Sequence, residues 1–414
     1  MKPGYKQTEV GVIPEEWEVN SFAELFAFRN GVNADKSAYG QGVRFINVLE
    51  PITYSHIHGP EITGQVSLPE AVVASYAVRR GDVLFNRTSE TQEEVALAAT
   101  YLGTERVVFG GFVIRGRPLA EDFDPVYAGY ALRAPCIRSQ IIPMGQGAVR
   151  ANVGQQNLGR VLAPLPPLPE QRAIAEALSD VDGLLGGLDR LIAKKRDLKQ
   201  AATQQLLTGQ TRLPGYHGEW EVKRLKTIVQ TPVTDGPHLT PQFFDDGIPF
   251  LSVNNLVGNR IDLTDLRFIS QQDHEVFSRK CKPRKGDILL GKAASVGKVA
   301  IVELDCELNI WSPIALIRVS VDHAARFVYY QLQSADLIGQ ITLLTNSSSQ
   351  GNISMGDIEK LTLKLPRLPE QIAIASVLTE MDGELAVLEQ RREKTRALKQ
   401  AMMQELLTGR TRLV

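Results

Sequence analysis

The chain has 414 residues, 43% of them hydrophobic and 22% charged, with a formal net charge of −1. That is globular composition, long enough for two or more domains with separate cores, and a near-neutral balance gives no sign of a nucleic-acid partner. No apolar run is long enough to span a membrane, the N-terminal stretch lacks the apolar core of a signal peptide, and Cys136, Cys281 and Cys306 have no metal-ligand spacing, so they read as reduced thiols of a cytoplasmic protein.

In chain order, the first feature is the tag Glu16-Trp17-Glu18-Val19, which returns as Glu219-Trp220-Glu221-Val222. Each tag opens a body, from about Ser21 to Val161 and from about Lys223 to Leu361. Short β-rich runs punctuated by Gly, Pro, Asn and Asp dominate both. Strands are expected over Val43–Val48, Val83–Phe85 and Val107–Ile114, then over Ile248–Val253, Ile288–Leu290, Lys298–Val302 and Ile314–Val319. Helices are expected over Pro125–Leu132 and Ala324–Ser334. Arg44–Val48 and Pro249–Val253 correspond at an offset of 205, as do Arg80–Phe85 and Lys285–Leu290. The frame repeats while the loops differ.

Each body runs into one copy of a longer repeat, Leu165–Leu213 and Leu365–Leu413, with more than half the positions identical at an offset of 200 and no gap. Each copy is expected to be one long helix. Pro169 and Pro369 suit a first turn, Glu170 and Glu370 suit its dipole, and Gly209 and Gly409 suit a stop. Apolar residues fall at Ile174, Leu178, Val181, Leu185, Leu188 and Ile192, and at Ile374, Leu378, Met381, Leu385 and Leu388, steps of four and three that make a heptad seam. Beyond it the seam is expected to shift register, with Leu198, Leu206, Leu398 and Leu406 taking over. Two matching seams point to the helices packing on each other rather than each on its own body alone.

Enzyme signatures are weak. Gly286-Asp287-Ile288-Leu289-Leu290-Gly291-Lys292 matches most of a phosphate-binding loop, but Ala293 follows where Ser or Thr would hold Mg²⁺. A tight Gly-Asp turn entering a core strand fits it better. His56 and His58 have no third metal ligand near them and read as surface groups. Neither a methyltransferase motif for adenine, a Gly-rich loop for S-adenosylmethionine nor a nucleophile elbow is present.

Several motifs together carry a family resemblance. Leu-Pro-Glu-Gln opens each helix and Leu-Leu-Thr-Gly closes it. Gly218-Glu219-Trp220-Glu221-Val222 opens the second body, which also contains Gly286-Asp287-Ile288-Leu289 and Asp235-Gly236-Pro237-His238 followed by Pro241. In this pattern the chain resembles the specificity subunit of a type I DNA restriction–modification enzyme over essentially its whole length. The first body departs at Asn30-Gly31-Val32-Asn33, opposite Asp-Gly-Pro-His.

The resemblance implies an α+β fold with an internal pseudo-two-fold repeat. Two mostly-β target-recognition domains, 1–164 and 214–364, would be separated by two antiparallel coiled-coil spacer helices, 165–213 and 365–414. It implies a non-catalytic chain that reads a split double-stranded DNA site, asymmetric because the bodies differ. Two modification subunits would carry S-adenosylmethionine and methylate adenine, and two restriction subunits using ATP and Mg²⁺ could join. No cofactor is expected in this chain itself. Loop donors suited to base edges or phosphates are Asn33, Lys36, Asn86, Arg87, Thr88 and Arg150 in the first body, and His238, Thr240, Lys292, Ser295, Ser349 and Gln350 in the second. The rival reading is a coiled-coil adaptor joining two domains for ligands other than DNA.

Overall fold

The protein is described by a computed structural model covering residues 3–147, 150–345 and 351–413. Both copies of the longer repeat are single helices, α1 from Leu168 to Thr208 and α2 from Leu368 to Leu406. At about 1.5 Å per residue each is roughly 60 Å long. They end where Gly209 and Gly409 take φ values of 70° and 69°, the left-handed conformation that terminates a helix at low steric cost.

Contacts divide the chain into two compact units, residues 1–189 with 390–414, and residues 190–389. Each unit holds one body, the first half of the helix that follows it, and the last half of the other helix. Within each unit the two helical segments run antiparallel. Arg392 meets Asp189 at 3.5 Å and Lys399 meets Asp182 at 2.6 Å in the first unit. In the second, Lys195 meets Glu384 at 2.5 Å and Lys199 meets Asp382.

The expected register shift does not occur. Leu198 and Leu398 are 48% and 55% exposed. After Ile192 the half-buried or buried positions include Lys195, Lys199, Ala202 and Leu206, and those after Leu388 include Arg392, Thr395, Lys399, Met402 and Leu406, each set at heptad spacing. The heptad runs on unbroken, but long cationic stems fill its middle and pair with carboxylates of the facing helix. Further toward the start of each helix, the seam serves the bodies as well. Ile174 and Leu178 are fully buried in one core with Leu406 and Leu407, and Ile374 and Leu378 in another with Leu206 and Leu207. Leu188 and Leu385 are buried, while Val181, Leu185, Met381 and Leu388 are half-buried.

Each helix entry is locked by an arginine from just beyond the end of the other helix. In the first unit the fully buried Glu170 accepts from Trp17 Nε1 at 2.9 Å and from Arg412 Nε at 2.6 Å. In the second, Glu370 accepts both Arg212 Nε at 2.5 Å and Nη2 at 2.6 Å. Gln171 binds the carbonyls of Asp122 and Pro166 and accepts the Asp124 N–H, and Gln371 accepts the Ala324 N–H and binds the Pro366 carbonyl. A second latch joins body to helices: Tyr130 donates to Asp182 and Tyr330 to Asp382, each at 2.7 Å. The Pro-Glu-Gln motif is thus a joint between body and helix pair.

In the first body, β1 (Phe26–Asn30), β2 (Tyr39–Ile46), β3 (Val83–Asn86), β4 (Ala98–Tyr101), β5 (Val107–Phe109) and β6 (Val113–Pro118) form the frame. The larger sheet has the order β1-β6-β3-β4 with His56–Ile57 at its edge; β5 and β2 pair in a smaller sheet with Gln65–Val66. The second body repeats this with β7 (Thr234–Asp235), β8 (Ile248–Leu251), β9 (Ile288–Gly291), β10 (Val299–Ile301), β11 (Asn309–Ile310) and β12 (Ile314–Ile317). Its larger sheet has the order β7-β12-β9-β10, and β8 pairs parallel with β11. Alternation along the central strand feeds two cores. Val83 and Phe85 face the core that includes α1, while Leu84 faces the smaller sheet; Ile288 and Leu290 divide from Leu289 in the same way.

The strand expected over Val107–Ile114 is two strands, because β5 and β6 belong to different sheets and Gly110-Gly111-Phe112 carries the chain between them. The Gly-Asp motifs are turns. Asp82 accepts the Arg79 N–H at 2.8 Å and a two-pronged bond from Arg117, and Asp287 does the same with Arg284 and Arg318. His56 is not a surface group: its Nε2 lies 2.8 Å from the Val126 carbonyl and its ring packs on Tyr130.

The two helix stops differ in a testable way. A Cβ on Gly409 would lie 2.5 Å from Pro14, whereas on Gly209 its nearest neighbour is Trp220 at 3.3 Å. Both Gly→Ala changes incur the left-handed penalty of about 1–2 kcal/mol. Gly409→Ala, which must also displace a proline ring, is expected to lower the thermal midpoint more than Gly209→Ala in parallel melts.

Candidate nucleic-acid interface

In each body three segments converge beyond the end of the central strand. In the first, Arg87 follows β3; its N–H donates to the Phe112 carbonyl at 2.7 Å, and its own carbonyl accepts from Val153 at 3.0 Å. In the second, Lys292 follows β9, donates to Pro313 at 2.8 Å and accepts from Ile353 at 2.9 Å. A third strand, β1 or β7, delivers Asn33 or His238 to the same hairpin tip. Gly111 N–H donates to Val32, Ser312 N–H to Pro237, and a Cβ on Gly111 would lie 1.9 Å from Asn33 Oδ1. The bodies therefore present the same backbone frame with different side chains: Asn33 against His238, Arg87 against Lys292, Thr88 against Ala293 and Phe112 against Pro313.

Most of the first body's expected residues meet on this face. Thr88 donates to Asn152 Oδ1 at 2.6 Å, Arg87 is half-buried, and Asn33 and Arg150 are exposed. Lys36 is exposed on the short turn Lys36–Ala38. Asn86 has to be corrected. It is 0% exposed, and neither end of its carboxamide has a partner, so it offers DNA no surface. The cause is its position as the last residue of β3, enclosed between Leu97 and Val113.

In the second body, His238 is 70% exposed and Thr240 exposed, Ser295 is half-buried, and Lys292 retains 12% exposure. Ser349 and Gln350 lie outside the described residues.

Sequence reading missed the residue that organises this group. Asp235, fully buried, has Lys280 at 2.5 Å, Lys292 at 3.2 Å and His238 at 3.3 Å. Burial pushes its carboxyl up, but Lys280 and Lys292 outweigh burial, and the net position lies below the ordinary aspartate value. In the first body Asn30 stands at this place, and Arg87 has no carboxylate partner among the described residues. The signal for Asp235 was the Asp-Gly-Pro-His motif, whose glycine is obligatory: a Cβ on Gly236 would lie 1.7 Å from the Ile310 carbonyl oxygen.

Two bodies of one frame, each clamped to an antiparallel helix pair and dressed with different loops, make a protein built by repetition. Residues 217–396 match the family described as type I restriction modification DNA specificity domain. The chain is 27% identical to the putative type I restriction enzyme MjaX specificity subunit of Methanocaldococcus jannaschii, over 99% of this chain and 97% of that protein. It is 25% identical to the MjaVIII specificity subunit of the same organism, over 70% and 71%. The fold is similar to a crystal structure of the type I restriction–modification S subunit from M. genitalium, with a TM-score of 0.60 at 15% identity over 98% of this chain and 99% of that one. Residues 217–396 thus match the DNA specificity domain of type I restriction–modification systems, and over nearly its whole length the chain is similar to specificity subunits of those systems. Among the described residues no helix is long and apolar enough to cross a membrane.

Asp235→Asn removes the charge that holds both lysines. The second unit is expected to lose about 1–3 kcal/mol at neutral pH. Because the folded carboxyl titrates below its unfolded value of about 3.9, its stabilisation is present above that value and lost as pH falls through the depressed one. Denaturant melts of wild type and Asp235→Asn should differ at pH 7 and converge in strong acid.

Proposed function

We propose that this chain selects the DNA sequence for a restriction–modification complex by reading a bipartite, asymmetric target, one half per body. The observation that supports this most is the shared loop frame with different side chains in the two bodies. One frame gives both the same way of approaching a duplex; different side chains give each a different base preference. In the first body Asn33, Lys36, Arg87, Thr88 and Arg150 are the contacting residues, and in the second His238, Thr240, Lys292, Ser295, Ser349 and Gln350.

In this reading 1–164 and 214–364 are the reading domains, and the spacer helices 165–213 and 365–414 also dock two modification subunits. Those subunits hold S-adenosylmethionine and methylate an adenine in each half-site. Two restriction subunits, with ATP and Mg²⁺, complete the assembly in the cytoplasm. A near-neutral chain suits such an assembly, because partners share the phosphate contacts.

The test is to map methylated adenines across a genome expressing the chain with its partners, then to exchange residues 21–161 for the corresponding body of a relative. One half-site should change while the other half and the spacer stay as they were. A simultaneous change in both halves would contradict modular reading.

A further inference from the structure

A cavity of about 480 Å³ opens in the first body beside the face just described. That is within the usual range for small-ligand sites, roughly 300–1,000 Å³. Its walls come from the turn Asn47–Ile52, the loop from Thr88 to Glu94, the hairpin tip at Phe112, and Arg150. At least four of these residues are spent on the fold: Ser89 donates to Glu94 at 3.0 Å, Thr88 donates to Asn152, and Asn47 Oδ1 accepts the Val48 N–H.

Other lining groups have no such employment. Phe112 is 56% exposed and Leu49 is 68% exposed, two large apolar side chains left in water on the cavity wall. The fold uses the Phe112 carbonyl, but among the described residues no other ring packs on its ring. Glu90 and Arg150 are exposed and carry no ion pair among the described residues. With Asn47 Oδ1 occupied, the amide nitrogen is the end of that side chain left to donate. The wall thus combines an aromatic face, a free carboxylate acceptor and a free amide donor.

This chemistry matches a planar heterocycle that shows a donor next to an acceptor along one edge. Adenine and cytosine do so, with an exocyclic amine beside a ring nitrogen; guanine and thymine put a carbonyl where the amine would be. Aromatic rings hold unstacked bases in this way, and acidic side chains accept from cytosine N4. The counterpart of Phe112 in the second body is Pro313, which has no aromatic face to offer.

We propose that the first body receives in this cavity a single adenine or cytosine turned out of its half-site, stacked on Phe112 and selected through Glu90. The proposal rests on the reading that the first body binds DNA. Extrusion also has a physical logic, since a base that leaves the stack exposes its pairing edge to the protein.

The test uses the full chain with its modification subunits and duplexes carrying the mapped target. A fluorescent analogue, 2-aminopurine for adenine or pyrrolocytosine for cytosine, is placed at each such position of the first half-site in turn. One position should brighten several-fold on binding to wild type and to Phe112→Tyr, and stay dim with Phe112→Ala bound at saturation. Glu90 is exposed, so Glu90→Gln keeps the fold; it should relax selection at that position by about tenfold and leave the second half-site unaffected. If no position brightens with wild type, or every position that does brightens equally with Phe112→Ala, the cavity does not hold a base and the proposal is overturned; a position that brightens equally in both reports the adenine taken by the modification subunit. If base changes throughout the first half-site leave affinity untouched, the DNA-reading assignment of this body fails instead.

Discussion

Everything in the architecture depends on two buried carboxylates that their own repeat cannot neutralise. Glu170 and Glu370 begin α1 and α2, and both are almost wholly removed from water. A buried charge without a partner costs several kcal/mol. The partner is in each case an arginine just beyond the end of the other helix, Arg412 for Glu170 and Arg212 for Glu370. The start of each helix is therefore stable only where the other helix ends. The tag tryptophans belong to the same joint: Trp17 donates to Glu170, and Arg212 lies 5.7 Å above the ring of Trp220. From this joint the Gln side chains reach into the bodies, so the constraint passes from helix pair to body.

The two bodies solve one problem with different electrostatics. Lys292 is held by a buried Asp235 that also holds Lys280, whereas Arg87 meets no carboxylate among the described residues. The second face is ordered in advance, with part of its positive charge offset. In the first, the guanidinium of Arg87 has no such counter-charge among the described residues, and Phe112, whose carbonyl accepts the Arg87 N–H, is exposed. Two half-sites read by such faces would differ in more than their bases: the first should respond more steeply to salt, since its cation has no internal counter-charge to exchange for phosphate.

Much of this was legible in the sequence because repetition marks it. The offset of 200 residues located both helices, their glycine stops and the start of the seam, and the offset of 205 paired the central strands of the bodies. The continuation of the seam was not legible, because Lys195, Lys199 and Lys399 occupy positions where pattern reading looks for apolar letters, and Leu198 draws attention to the wrong face. Asn86 read as a loop donor because it precedes Arg87 and Thr88; only strand pairing on both sides of β3 shows it enclosed. The break at Gly110–Phe112 was hidden by apolar residues on both sides, since a change of sheet leaves no mark on hydrophobicity. Trp17 and Glu170, 153 residues apart, were each visible as a repeated motif, but nothing in their spacing announces that they touch.

If the helices set the distance between half-sites, that distance should follow their length. The structure indicates where to lengthen them: after Asp189 in α1 and after Glu389 in α2, the boundaries at which the chain passes from one compact unit to the other. Four residues added at both places leave intact every latch within each unit. They extend each helix by about 6 Å and turn it about 40° beyond a full turn, while DNA rises about 3.4 Å per base pair. Methylation mapping of this variant reads spacer and half-sites together. Helices that measure predict a spacer longer by one or two base pairs with the bases of both half-sites unchanged; full activity on the original spacer would contradict it.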